Sequence, residues 1–279
     1  MGTILRKALS GRTFREILPV LTPLDGTAWR KIELGTPPLV ALPSRLAFTS
    51  RVMGWFQLDP ESLAARARAV GAVPATLRAS LVRGSLGFTV VSVAGFIPWA
   101  VFGRWLGQRI GEAGLYATCA LVFIGLAGLL LHPLILGPGS LSRFYKLFGA
   151  SFAAYSVAWI AGWMSLHGHP GSVAGLLAGT TVMGWMLVTA FEARGQLLKV
   201  IGALFVLNSL GYFIGGVLEG AIYPHSALTA KLMWGVCYGL GLGAGLGLAF
   251  YLCQSGARAL LAAPADFSSS NARVNAPIA

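Results

Sequence analysis

The stretch KLMWGVCYGLGLGAGLGLAFYLCQ, from Lys231 to Gln254, decides the fold. It holds no charged residue between its ends, and it exceeds the roughly 20 apolar residues with which a helix crosses a bilayer. In lipid a helix keeps its own backbone hydrogen bonds, and a row of glycines lets a second helix approach closely. The stretch therefore predicts a transmembrane helix packed at the centre of a bundle. Glycine recurs in it at every fourth position, at Gly235, Gly239, Gly243 and Gly247, with Gly241 and Gly245 nearby.

Composition indicates a polytopic membrane protein. Of the 279 residues, 56% are hydrophobic and 11% are charged, and the mean hydropathy is +0.72. Soluble domains carry about 25% charged residues. The net charge of +12 does not indicate a nucleic-acid partner, because 12 of the 21 Lys and Arg residues precede residue 85 and most others lie in short loops between apolar segments. Membrane topology and contact with anionic lipid headgroups explain that distribution.

Length and hydropathy predict six transmembrane helices, at about 85–106, 114–137, 148–166, 172–191, 200–222 and 232–253. The loops between them are short, so we expect an all-α fold in which consecutive helices form three antiparallel hairpins. This bundle, about 85–254, follows a basic, non-spanning arm over about 1–84. A small polar tail over about 255–279 is expected to be disordered and cytoplasmic.

The basic arm is predicted to carry amphipathic helices that lie on a membrane surface or on a partner protein. Asp59, Pro60 and Glu61 form a helix start, since a capping side chain is followed by proline at the first helical position. Another short helix is expected near Thr76–Arg83, leading into the membrane. We interpret the arginines of the arm as topology signals that contact anionic headgroups. The alternative is an arm that docks onto another protein.

The distribution of Lys and Arg residues predicts the orientation of the chain across the membrane. With the N-terminus in the cytoplasm, 18 Lys and Arg residues fall on the cytoplasmic side and three, Arg104, Arg109 and Lys231, on the other side. Both termini are therefore expected to be cytoplasmic. A bacterial inner membrane is the expected location. An organelle membrane is the alternative, because the first residues are rich in arginine and could serve as a presequence.

One predicted span carries a polar stripe. Asn208, Tyr212 and Glu219 share one face of the fifth span, together with Gly215. An ionisable group within a span is a candidate for function, because burying its charge in lipid is costly. Glu219 could bind a cation or shuttle a proton, with Asn208 and Tyr212 lining the route inward. In the alternative interpretation Glu219 lies near the outer end and reaches headgroup water.

Three histidines are weak candidates for a metal site. His167, His169 and His225 fall on the predicted outer face, where imidazoles and carboxylates could bind a metal ion. None of the stronger spaced metal motifs is present, so solvated loops are the simpler interpretation. No sequence motif indicates a cofactor. The cysteines, Cys119, Cys237 and Cys253, lie within apolar spans and do not indicate a disulfide framework.

Three classes of function follow. The first is an interaction or scaffolding subunit of a larger membrane complex, favoured by glycine ridges, by the basic arm and by the scarcity of charge within spans. The second is a transporter or channel for a small solute, favoured by the polar stripe and by a weak similarity among the three hairpins. The third is a membrane enzyme. No catalytic residue is assigned, because Ser151 and the histidines of its helix lie about 24 Å apart at helical rise.

Overall fold

A computed structural model describes residues 56–263, which are helical and contain no strand. Six of the helices in this part are long and apolar enough to cross a membrane, which confirms the predicted all-α fold with six spans. The helices are α1 Pro60–Ala69, α2 Leu77–Ala100, α3 Gly103–Leu131, α4 Ser140–Leu166, α5 Gly168–Ala190, α6 Leu197–Ile222, α7 Ala227–Cys253 and α8 Ser255–Ala262. Short 3-10 turns at His132–Leu134 and Arg194–Gln196 follow α3 and precede α6. The helices predicted before residue 56 lie outside the described residues, as does most of the tail.

Helix α1 begins where its sequence predicts. The Asp59 carboxylate accepts a hydrogen bond from the Ser62 amide at 2.8 Å, and Pro60 occupies the first helical position. Leu63 is buried on the inner side of the helix. Arg68 donates to the Leu260 carbonyl of α8, which ties the two short helices together at one end of the bundle.

The spans start earlier than hydropathy predicts. Helix α2 begins at Leu77 because the Thr76 hydroxyl caps it, accepting from the Ala79 amide at 3.2 Å. The short helix expected near Thr76–Arg83 is thus the first part of the first span. Helix α4 likewise begins at Ser140. Both starts carry cationic residues, which lower the local hydropathy and therefore delayed the predicted start. These residues do not end the helix, because long cationic side chains can reach water from a helix end. Helix α8 occupies the first residues of the segment expected to be a disordered tail.

The six spans form a closed ring in which each helix contacts the next along the chain and α7 returns to α2. The hairpins α2–α3, α4–α5 and α6–α7 agree with the predicted antiparallel pairs, and α7 packs as extensively on α2 as on α6. Helix α3 bends at Gly111, where the backbone adopts φ 72° and ψ 174°. Such a positive φ favours glycine, and it turns the short segment Gly103–Ile110 away from the main axis.

Aromatic side chains fill the interior of the ring. Along α4, Phe144, Phe148, Phe152 and Tyr155 stack in series with ring-centroid separations of 5.2, 5.2 and 6.0 Å. Rings from other helices pack against this series, namely Phe88, Phe123 and Phe250. Phe96 and Tyr238 form a further layer on Phe123 and Phe88. Stacked and edge-on rings stabilise a core beyond the area that they bury. The bundle is therefore packed through its middle.

Two ends of the bundle differ in charge. Within residues 56–263, nine Lys and Arg residues lie at the end where α2, α4 and α6 begin, which we call the basic end, and three lie at the opposite end. The residues of the basic end are Arg66, Arg68, Arg78, Arg83, Arg143, Lys146, Arg194, Lys199 and Arg258.

Candidate functional site

A buried polar cluster lies within the bundle, formed by one side chain from each of α4, α6 and α7. Asn208 is fully buried, and its Nδ2 donates to the Tyr155 hydroxyl at 2.9 Å. The Tyr238 hydroxyl interacts with the Tyr155 hydroxyl from the side of α7. Tyr155 and Tyr238 are 5% and 8% exposed, so the cluster is shielded from lipid and from water.

Two fully buried residues of the interior each carry a polar atom without a hydrogen-bond partner among residues 56–263, namely Oδ1 of Asn208 and Oγ of Ser92. Ser92 lies on α2 beside Gly239, at 2.9 Å from the position that a Cβ atom of Gly239 would take. Buried polar groups are nearly always paired in folded proteins. A buried water molecule or a small polar ligand between these helices would supply the missing bonds.

The predicted stripe on α6 has an inner part and an outer part. Tyr212 exchanges a hydrogen bond with Ser172 of α5 at 3.3 Å, and its carbonyl accepts from the Trp234 indole N–H at 3.3 Å. Both Asn208 and Tyr212 thus face other helices. Glu219 lies near the far end of α6, about 16 Å from Asn208 at helical rise. It is half-buried.

Trp234 separates the two parts of the stripe. Its indole lies against Gly215, with Cδ1 at 2.7 Å from where a Cβ atom of Gly215 would stand. The same ring stacks on Tyr238 at 5.7 Å and packs edge-on against Phe96 at 5.0 Å. The structure therefore places Asn208 and Tyr212 in packed surroundings and places Glu219 beyond the indole.

Helix α7 is held on both sides by glycines. On the side of α2, a Cβ atom added at Gly239 would lie 2.6 Å from Cα of Thr89, and one added at Gly243 would overlap the carbonyl of Gly84. Gly235 and Gly247 continue this row, against Phe96 and Ser80. The four predicted packing glycines thus share one neighbour, α2.

A second row on α7 faces α6. Gly241 lies against Gly211, where a Cβ atom would be 2.8 Å from the Gly211 Cα, and Gly245 lies against Leu204. The spacing of Gly241 and Gly245 in the sequence does not identify this neighbour. With two rows, the backbone of α7 comes close to both adjacent helices, as small residues allow in membranes.

The three candidate histidines do not assemble a metal site. Among the described residues, no three His, Cys, Asp or Glu side chains come together so that they could hold a metal ion. His167 joins α4 to α5 with a φ of 55°, and its ring packs at 5.5 Å from Trp163. His169 is an exposed residue at the start of α5, and His225 lies in the turn before α7.

Tyr238, Ser92 and Gln254 are polar residues of the interior that sequence reasoning missed. The available signal was their residue type, because tyrosine, serine or glutamine inside an apolar span needs a hydrogen-bond partner when it is buried. Sequence spacing does not reveal which of the other spans supplies that partner. Gln254 illustrates this, because it bonds Leu134 and Leu136, more than a hundred residues earlier.

The fold defines a class, that of multi-pass integral membrane proteins. Comparisons with protein-family models, with curated proteins and with solved structures found no match. Function must therefore be inferred from the geometry of the structure. Its relevant features are a packed interior, a buried polar cluster and the outer surfaces of the ring of helices.

Proposed function

We propose that the protein is an interaction or scaffolding subunit of a larger membrane complex. The observation that carries this proposal is a stripe of small residues on the outer side of α6, composed of Gly202, Ser209, Gly216 and Gly220. A Cβ atom added at any of its three glycines would meet nothing within 4 Å in the described part of the chain. The three glycines thus have no packing role among the described helices.

The inward-facing glycines give the contrast that supports this interpretation. Gly211 and Gly215, also on α6, lie directly against α7, where added Cβ atoms would overlap the neighbouring helix. Glycine costs a helix about 1 kcal/mol relative to alanine in water, and in membranes its benefit is close approach of another helix. The outer glycines would gain that benefit from a helix of another polypeptide.

The spacing of the outer stripe fits a helical partner. Gly202, Ser209 and Gly216 are seven residues apart, which is the repeat of a helix that packs along a left-handed seam. Ser209 lies between two of these glycines, and its small side chain would let the same partner helix approach along the whole seam.

The orientation of the bundle in the membrane is part of the same proposal. The basic end, with nine cations against three at the other end of the described bundle, would lie on the cytoplasmic side because cytoplasmic loops retain Lys and Arg. The residues that precede the first span would then be cytoplasmic as well, where they could contact anionic headgroups or a protein partner.

Transport of a small solute is the second candidate function. Two of the unpaired buried atoms, Oδ1 of Asn208 and Oγ of Ser92, favour it because a polar solute between helices could bind such atoms. The stacked rings of α4 and the indole of Trp234 fill the space around them. Transport would therefore require these aromatic side chains to move, whereas a scaffolding role requires no opening.

Purification in mild detergent from the native membrane tests the scaffolding proposal. We expect wild-type protein to co-purify with a membrane protein at fixed stoichiometry. Gly202→Leu and Gly216→Leu should each lose most of this partner, because a leucine on the seam keeps the helices apart. The measurement is the partner-to-chain ratio by quantitative mass spectrometry together with particle mass by light scattering.

Leu210→Phe is the matched control for these variants. Leu210 is 53% exposed on the same helix but lies off the stripe, so its enlargement should leave the partner ratio unchanged. Each variant is also checked for the wild-type unfolding temperature. A wild-type particle containing only this chain, or stripe variants that keep their partner, would refute the proposal.

A further inference from the structure

A cavity of about 430 Å³ opens at the basic end of the bundle. Its walls come from the α1–α2 connection, the first turns of α2, the α3–α4 connection, the start of α4 and the junction of α7 with α8. Four membrane-spanning helices begin or end around it. It therefore lies at the level where the hydrocarbon core of a bilayer gives way to lipid headgroups.

Two arginines line this cavity, Arg83 of α2 and Arg258 of α8. Arg83 donates to the Pro133 carbonyl at 3.4 Å. Arg258 donates to the Tyr251 carbonyl and stacks on the Tyr251 ring with its central carbon 3.7 Å from the ring centroid. Neither guanidinium has a carboxylate partner in the described part of the chain. A guanidinium offers five N–H donors, so most donors of both side chains are available to a ligand.

The burial of Arg258 increases the benefit of binding an anion. Removal from water lowers the pKa of its guanidinium, although the nearby Tyr251 acts in the opposite direction. Arginine still keeps its charge at neutral pH. A half-buried cation without a counter-charge is less stable than one that binds an anion. The cavity also includes Ser140, the first residue of α4, where unpaired helix amides favour negative charge.

An apolar groove adjoins the cavity on the outer surface of the bundle. It is shallow and largely open to its surroundings, has a volume of about 440 Å³, and runs between α2 and α3 beside Val82, Leu86, Gly87 and Leu130. Arg83 lines both the groove and the cavity. A ligand with an anionic head and an apolar tail would place its head between the two arginines and its tail in the groove.

We propose that this cavity and groove bind one anionic phospholipid, with its phosphate between Arg83 and Arg258 and an acyl chain along α2 and α3. The wall of the cavity is held in place by Gln254. Its side chain donates to the Leu134 carbonyl at 2.8 Å and accepts from the Leu136 amide at 2.8 Å. The α3–α4 connection is thereby fastened to the end of α7, so the headgroup site is formed before the lipid arrives.

Binding of defined lipids to the full-length, delipidated protein in detergent tests the proposal. The probes are phosphatidylglycerol, phosphatidylcholine with the same acyl chains, and inorganic phosphate, measured by native mass spectrometry and by the shift in unfolding temperature. We expect phosphatidylglycerol to bind and to raise the unfolding temperature more than either other probe. Arg83→Gln and Arg258→Gln should each weaken its binding about tenfold, as expected for loss of a charge-assisted hydrogen bond.

Arg194→Gln is the matched control, because Arg194 is an exposed cation of the same end that does not line the cavity. It should leave binding unchanged. Ala79→Trp, which fills the groove from an exposed position, should weaken lipid binding without altering the response to phosphate. Equal binding of the two lipids, equal protection by phosphate, or equal weakening by Arg194→Gln would overturn the proposal. If Arg258→Gln fails to fold, lipid binding by Arg83→Gln, a substitution at an exposed position, is the deciding measurement.

Discussion

At the scale of single residues, the buried amide of Asn208 has one partner and one unpaired atom. Its Nδ2 bonds Tyr155, whereas its Oδ1 has no partner among residues 56–263. Exchanging the amide oxygen and nitrogen would pair one atom and leave the other unpaired. The hydroxyl of Tyr155 is thus the contact on which the stability of this amide depends, because unpaired buried polar groups lower stability.

The contact between Tyr155 and Asn208 can be tested with a double-mutant cycle. Tyr155→Phe should lower the free energy of unfolding by about 1–3 kcal/mol, because it leaves Nδ2 of Asn208 unpaired. Adding Asn208→Leu removes the amide altogether, so the double variant should lose less than the sum of the two single losses. The measurement is reversible unfolding in detergent. Tyr223→Phe, at a 55% exposed position, is the control and should change stability little. Strictly additive losses would show that the contact contributes nothing.

At the scale of the element, α7 holds the ring together because its backbone closely approaches two helices. One glycine row faces α2, and the other faces α6. A helix with one neighbour could accept a larger residue by moving away from it. Helix α7 lies between two neighbours, so moving away from one brings it closer to the other. Each row therefore limits the space available to the other, and overpacking either should be destabilising.

Gly243→Ala should lower the free energy of unfolding by about 1–3 kcal/mol, since its added methyl group would overlap the carbonyl of Gly84 and force α2 and α7 apart. Gly125→Ala is the matched control on a helix surface with open space in the described structure. It should leave the unfolding temperature unchanged or slightly raised, because alanine is the better helix former. Both are measured by thermal unfolding in the same detergent. Equal effects of the two substitutions would contradict the packing assigned to α7.

At the scale of the whole molecule, charge distinguishes the two faces that the bundle presents to the aqueous phases. Cations are concentrated at the basic end, and the described carboxylates are few: Asp59, Glu61, Glu112, Glu192 and Glu219. The asymmetry is the feature that membrane insertion responds to, since cationic loops are retained in the cytoplasm. It also provides an electrostatic surface on which anionic lipids would accumulate.

Cysteine labelling tests the proposed orientation. Gly195→Cys lies in the exposed α5–α6 connection at the basic end, and His169→Cys lies at the exposed start of α5 at the other end. In intact cells, a membrane-impermeant maleimide should label His169→Cys and should label Gly195→Cys only after the membrane is permeabilised. Wild-type protein is the control, because its three cysteines lie within spans. The reverse pattern, or labelling of both variants from one side, would contradict the orientation.

The sequence by itself determined that the chain folds into six membrane-spanning helices, where α1 begins, and that glycine would be concentrated in α7. These are local properties. Hydropathy over about 20 residues selects a span, because every backbone group in lipid must bond within its own helix. A cap such as Asp59 acts on amides within one turn of itself. The starts of α2 and α4 were predicted too late, because cationic residues near a helix end reduce hydropathy without ending the helix.

Only the tertiary structure decided which faces of the helices meet. The Tyr155–Asn208 bond joins residues 53 positions apart, and Gln254 bonds Leu134 from 120 positions away. Such pairings depend on the shapes of all the side chains between the helices, and close packing lets each helix settle only where its neighbours leave room. The return of α7 onto α2, the position of Trp234 across the polar stripe, and the cavity between Arg83 and Arg258 follow from that packing. The spacing of residues along the chain does not reveal this packing.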